Sequence, residues 1–162
     1  MRAVTAANEA FYRAIETGDL DLMEAVVLDG PLAAGVTAVH PGWPLLRGRG
    51  EVLRSFAAVM AGTPYIQFIL TDVDVRPAGD VAVVTCGENV LTGTGDPGGA
   101  GLAFGGGRVV ATNVFRRTPA GWRLWVHHAS PVLDALTSDD DDLDDDGDAP
   151  GAPGDPRGGG AA

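Results

Sequence analysis

The spacing of apolar residues in this 162-residue chain changes once, between residues 60 and 65, and that change limits the fold more than any other feature. Before it, apolar positions recur every third or fourth residue. Val4, Ala7, Phe11, Ala14 and Ile15 mark a helix over residues 4–17, and Gly18 supplies its stop. Asp19 is placed to cap a second, short helix carrying Leu22, Val26 and Val27 on one stripe, ended by Asp29-Gly30-Pro31. Residues 35–40 suit a short strand, and Val52, Leu53, Phe56, Val59 and Met60 restore helical spacing over 50–60. From Tyr65 onward the apolar positions alternate. Residues 65–76 (with a twist or bulge), 80–91, 108–118 and 122–130 read as strands, and the turns at 76–80 and 118–121 suit antiparallel neighbours. Helices followed by antiparallel strands predict an α+β fold, a curved sheet wrapped against three N-terminal helices. A bent sheet closed by helices encloses a conical cavity of the kind that holds small molecules.

Residues 92–107 hold eight glycines and are expected to form a long flexible loop. A glycine-rich phosphate cradle is disfavoured, because no helix opening on Lys and Ser or Thr follows.

The net charge of −11 is a property of the C-terminus. Residues 1–133 carry 10 Arg against 12 acids, net −2, whereas residues 134–162 carry 1 Arg against 10 Asp, net −9. The expected organisation is therefore one domain over 1–133 and a disordered acidic Asp/Gly/Pro-rich tail over 134–162, a solubiliser or an interaction tail. The near-neutral domain lacks the basic footprint of a nucleic-acid binder. No apolar run is long enough to span a membrane, and the N-terminus lacks the apolar region of a secretory signal, so the expected location is cytoplasmic. A single cysteine, Cys86, forms no internal disulfide, and three histidines without ligand spacing predict no metal site.

Three segments carry a resemblance: Ala14–Val27, the His-Pro-Gly-Trp-Pro-Leu-Leu-Arg-Gly-Arg corner at 40–49, and the terminal pair over 111–132. They resemble the SnoaL-like branch of the nuclear-transport-factor-2-like superfamily, which also contains ketosteroid isomerases, limonene epoxide hydrolases and polyketide cyclases. The resemblance covers roughly residues 3–133. It implies a cone of three helices and a curved sheet (a cystatin-like α+β barrel), an apolar pocket inside it for a small apolar or polycyclic ligand, no cofactor, and a homodimer formed through the sheet. At the positions that ketosteroid isomerases use for catalysis this chain has Phe11, with Tyr12 one step round the helix, His40 in place of the basic aspartate, and Asn113 in place of the protonated aspartate. Steroid isomerisation is therefore not expected.

The substitutions still offer chemistry. A neutral imidazole at His40 can take a proton near physiological pH, and the Asn113 amide can donate to a developing oxyanion or hold a carbonyl. Alternation along the last strand puts Trp122, Leu124, Val126, His128 and Ser130 on one face, and the isomerase pattern places that face inside the cone, with His127 pointing outward. The expected site thus has His40 and Asn113 as catalytic residues, with Trp43, Tyr12, Glu88, His128 and Ser130 lining the ligand. Bland alternatives stand beside each. His40 can simply tie the strand to the corner, Trp43 can plug the cone mouth, and Asn113 can partner His40 or His128. Glu88 can pair with an arginine such as Arg108, and its strand face is not set by the sequence. Tyr12 can pack at an interface. The function expected is a small-molecule pocket with the capacity for cofactor-independent acid/base chemistry of isomerase, cyclase or hydratase type. The competing reading is a non-catalytic dimerisation or accessory module whose cone is filled by Trp43, Phe56, Phe104 and Phe115.

Overall fold

Helix α1 spans Arg2–Thr17 and stops at Gly18, whose φ of 64° is left-handed and is tolerated there because glycine has no Cβ. A computed structural model describes residues 1–95 and 102–133; the acidic tail and the side chain of Phe104 lie outside the described residues. Asp19 caps α2 (Leu20–Val26) by accepting the Leu22 N–H at 2.8 Å, as its position predicts. A single 3-10 turn at Gly30–Gly35 leads to β1 (Thr37–Val39) and β2 (Leu46–Arg47), and α3 runs Arg49–Gly62. Four long strands follow: β3 (Tyr65–Ala78), β4 (Val81–Gly95), β5 (Leu102–Thr118) and β6 (Gly121–Pro131). They form one curved sheet in the order β2-β1-β6-β5-β4-β3, with β1 parallel to β6 and every other pair antiparallel. The α+β architecture is the one expected. Among the described residues no helix is long and apolar enough to cross a membrane.

The core lies between the helices and the concave sheet face. Phe11, Met23, Leu28, Phe56, Phe115 and Leu124 are its largest fully buried side chains. Burial of side chains this size is each worth about 1.5–3 kcal/mol. Glu16 tethers α1 to the sheet edge by accepting the Phe68 N–H at 2.7 Å.

Two expectations need correction. The glycine-rich stretch is mostly sheet. β4 continues to Gly95 and β5 starts at Leu102, with Thr92 opposite Gly105 and Gly93 opposite Phe104. Ladder hydrogen bonds use only the backbone, so glycines pair when a strong neighbouring ladder carries them. The remainder of the expected loop, 96–101, lies outside the described residues.

The second correction concerns β6. Val114 faces Val126 but Phe115 faces Leu124, so Trp125 is an extra residue without a cross-strand partner. This β-bulge shifts the side-chain phase by one. Trp122 and Leu124 are buried before it, His127 and Ala129 after it, and His128 and Ser130 are exposed on the opposite face. β3 carries the irregularity expected of it, between Thr71 and Asp74, where Thr71 Oγ1 approaches Gly87 so closely that a Cβ there would sit 2.7 Å away.

Candidate functional site

A cavity of about 190 Å³ opens between α1, α3 and the concave face of the sheet. Its wall is mostly apolar, with Ile15, Phe56, Ile66, Phe68 and Val90 among its members, and its polar groups are Tyr12, His40, Glu88 and His127. Pro41 and Trp43 stand at its rim, and Trp43 is 44% exposed, so the corner covers the cavity without filling it.

His40 follows β1 directly. Its ring packs edge-on against Phe56 (4.8 Å between centroids) and Trp43 (5.1 Å), and its Nε2 lies 2.8 Å from Ser55 Oγ on α3. Ser55 has one proton and donates it to the Val52 carbonyl at 2.7 Å. It therefore accepts from His40 Nε2–H, leaving Nδ1 as the bare nitrogen. Burial lowers the His40 pKa and favours the neutral ring.

A second buried chain of hydrogen bonds orients His127. Tyr12 donates to Glu88 Oε1 at 2.7 Å, so its oxygen is free to accept from Asn113 Nδ2 at 3.0 Å. The same Nδ2 donates to Asn8 Oδ1 at 2.9 Å. With both amide protons spent, Asn113 Oδ1 accepts from His127 Nδ1 at 2.7 Å. His127 is thus the Nδ1–H tautomer with a bare Nε2. Burial, reinforced by the neighbouring imidazoles of His40 and His128, lowers its pKa to about 3, so the ring stays neutral at physiological pH. The two imidazoles lie 6.0 Å apart, and Phe56 and Phe11 pack against them.

Glu88 lies on the inner face of β4 with Ala82, Val84 and Cys86, all buried. Burial raises its pKa, and the Tyr12 hydrogen bond offsets this only in part. Burial also raises Tyr12, helped by the charge of Glu88, and it raises Cys86, whose sulfur sits 3.3 Å from the Tyr12 hydroxyl.

The expected residues therefore separate. Tyr12, His40, Trp43 and Glu88 line the cavity. Asn113 does not: it is fully buried behind the wall, and its amide, committed to Asn8, Tyr12 and His127, has no proton left for an oxyanion. His128 and Ser130 face a groove on the outer side of the sheet with Val110, Thr112 and Val126, and the histidine inside is His127. The bulge at Trp125 is the reason for that exchange. Ser55 and Asn8 complete the site without having been singled out. Asn8 had a signal, since it sits one turn before Tyr12 on the apolar stripe of α1, where a polar residue needs a buried partner.

Helices cupped by a curved sheet around a polar-tipped apolar cavity define the nuclear-transport-factor-2-like fold. The chain belongs to the SnoaL-like domain family, whose model matches residues 4–134. It is similar to a provisionally assigned dehydratase of the nuclear-transport-factor-2-like family from Streptomyces avermitilis, with 55% identity, a TM-score of 0.78, and coverage of 82% of this chain and 97% of that one. It is also similar to a provisionally assigned calcium/calmodulin-dependent protein kinase type II association domain from Thiobacillus denitrificans, with 30% identity, a TM-score of 0.65, and coverage of 80% and 94%. A nuclear-transport-factor-2-like protein from Salmonella enterica, at 16% identity and a TM-score of 0.71 over 85% of this chain and 94% of that one, shares the fold. No curated protein matches the chain.

Proposed function

We propose that this chain is a cofactor-independent lyase that removes water from a small hydroxylated substrate. One observation carries the reading: a single apolar cavity has a neutral imidazole, His40, and a buried carboxyl, Glu88, in its wall, their pKa values moved from the ordinary ones in opposite directions. Lowering the imidazole and raising the carboxyl leaves a proton acceptor and a proton donor in one site, the arrangement that acid/base catalysis needs. His40 Nδ1 takes the proton from the carbon beside a carbonyl. The released electron pair forms the C=C bond, the C–O bond of the neighbouring carbon breaks, and Glu88 gives its proton to the departing hydroxide, which leaves as water. Solvent then carries the proton from His40 back to Glu88. His127 Nε2, too weakly basic to act as the base, accepts a substrate hydroxyl and orients it. The assigned activity of the Streptomyces avermitilis relative supports this class of reaction.

The test is an assay of 3-hydroxycarbonyl compounds for growth of conjugated-enone absorbance. Turnover that collapses in His40→Gln and Glu88→Gln while ligand binding persists supports the mechanism. Turnover unaffected by both substitutions overturns it, as does binding without turnover by the wild type.

A second reading concerns assembly. The outer sheet face exposes Ile69 and Val110 and carries the groove of His128 and Ser130. We propose that this face forms a homodimer, since exposed apolar side chains grouped on a sheet suit self-association. Light scattering on wild type and Val110→Asp distinguishes a dimer broken by the charge from a monomer indifferent to it.

A further inference from the structure

We infer that the cavity is built for an uncharged, single-ring ligand that brings at least two hydrogen-bond donors, a benzenediol-like molecule, and that it rejects carboxylates and phosphate esters. The inference rests on the proposal that this cavity is the ligand site, but not on any turnover there.

Polarity is the first argument. His40 spends its Nε2–H on Ser55, and His127 spends its Nδ1–H on Asn113. Each imidazole therefore offers the cavity a lone pair and no proton. Tyr12 spends its proton on Glu88 Oε1 and its lone pairs on Asn113 and Cys86. A ligand with only acceptors, such as an ether or a quinone, leaves both imidazole nitrogens buried and unpaired. Each such nitrogen has lost its water partner and gained nothing in return, a penalty that weakens binding of that ligand. A ligand with two hydroxyls satisfies both. The two tautomers are imposed from opposite sides, one by a helix and one by a strand network, so a ligand cannot reverse them without breaking buried hydrogen bonds.

Charge is the second. Among the residues lining the cavity there is no arginine or lysine, and the ionisable groups are Tyr12, His40, Glu88 and His127. An anion would find no counter-charge in this lining, so burying it is costly. Size is the third. A buried cavity of about 150 Å³ accommodates one benzene ring. The cavity here, about 190 Å³, holds a ring with small substituents, and a fused polycycle would extend past its rim into solvent. The flanking rings of Phe56, Phe68, Tyr12 and Trp43 offer faces and edges for an aromatic guest.

Calorimetric titration of the full chain tests this with the three benzenediols, their dimethyl ethers, benzoate, benzylammonium and a naphthalenediol. At least one benzenediol is expected to bind tenfold or more tighter than its dimethyl ether, about one 1.4 kcal/mol step, and tighter than the other probes. In His127→Phe and His40→Phe the preference for diol over ether is expected to shrink. If either variant misfolds, the wild-type comparison decides alone. Equal binding of diol and ether, binding by none of the diols, or tighter binding of benzoate, benzylammonium or the naphthalenediol overturns the inference. A benzenediol carries no 3-hydroxycarbonyl group to dehydrate, so this titration decides the ligand class of the cavity and the enone assay alone decides turnover.

Discussion

The side-chain oxygen of Asn113 lies 2.7 Å from Nδ1 of His127, and that contact decides which imidazole nitrogen meets the cavity. The decision starts far away in sequence. Glu88 on β4 takes the Tyr12 proton, Tyr12 on α1 takes an Asn113 proton, and the amide can then present only its oxygen to β6. Four elements of the fold thus fix one tautomer.

Asn113→Leu removes three buried hydrogen bonds at once and leaves Asn8 Oδ1 and His127 Nδ1 unpaired. The expected loss is on the order of 3 kcal/mol in urea denaturation. A loss below about 1 kcal/mol would show that the network contributes little to the fold.

Acid should destabilise the domain through His127. Its folded pKa of about 3 lies below the ordinary histidine value of 6.5, so the unfolded chain binds a proton that the folded chain refuses. Its contribution is fully present above pH 6.5 and is lost as pH falls from there toward 3. His40 acts in the same direction. Glu88 acts oppositely: its raised pKa favours the fold at low pH and costs stability as pH rises through the folded value. The difference between wild type and His127→Phe isolates the imidazole. Denaturation midpoints at pH 7.5 and 4.5 should fall less in the variant than in wild type, and an equal fall would assign acid sensitivity elsewhere.

Neighbouring histidines should behave unlike each other. His128 is exposed on the outer face, and His128→Ala should change stability by no more than about 0.5 kcal/mol and leave diol binding intact. His127→Ala, in the wall, should destabilise the domain and weaken binding about tenfold or more. If His128→Ala instead removes binding, the bulge at Trp125 does not set the face of β6.

Tyr12→Phe removes the donor that holds the Glu88 pKa down and the acceptor for Asn113. Carbon-13 NMR should find Glu88 titrating at higher pH than in wild type, with stability lower by about 1–3 kcal/mol. An unmoved Glu88 titration would break the link between these two residues.

Much of this was open to reading from the residues. The change of apolar spacing near residue 60 separates helices from strands, and Gly18 and Asp19 mark helix ends. These are local signals, carried by covalent geometry and by which side chains avoid water. The inner face of β6 was not open to reading. Strict alternation along that strand puts His128 and Ser130 inside, and a single unpaired residue, Trp125, reverses it. A bulge belongs to a pair of strands: it exists only once β5 has paired with β6, and nothing in either strand alone records it. The role of Asn113 has the same origin. An amide in mid-strand announces that it needs partners, but only the packing of α1 against the sheet brings Asn8, Tyr12 and His127 within reach and turns an expected catalytic donor into the group that orients one.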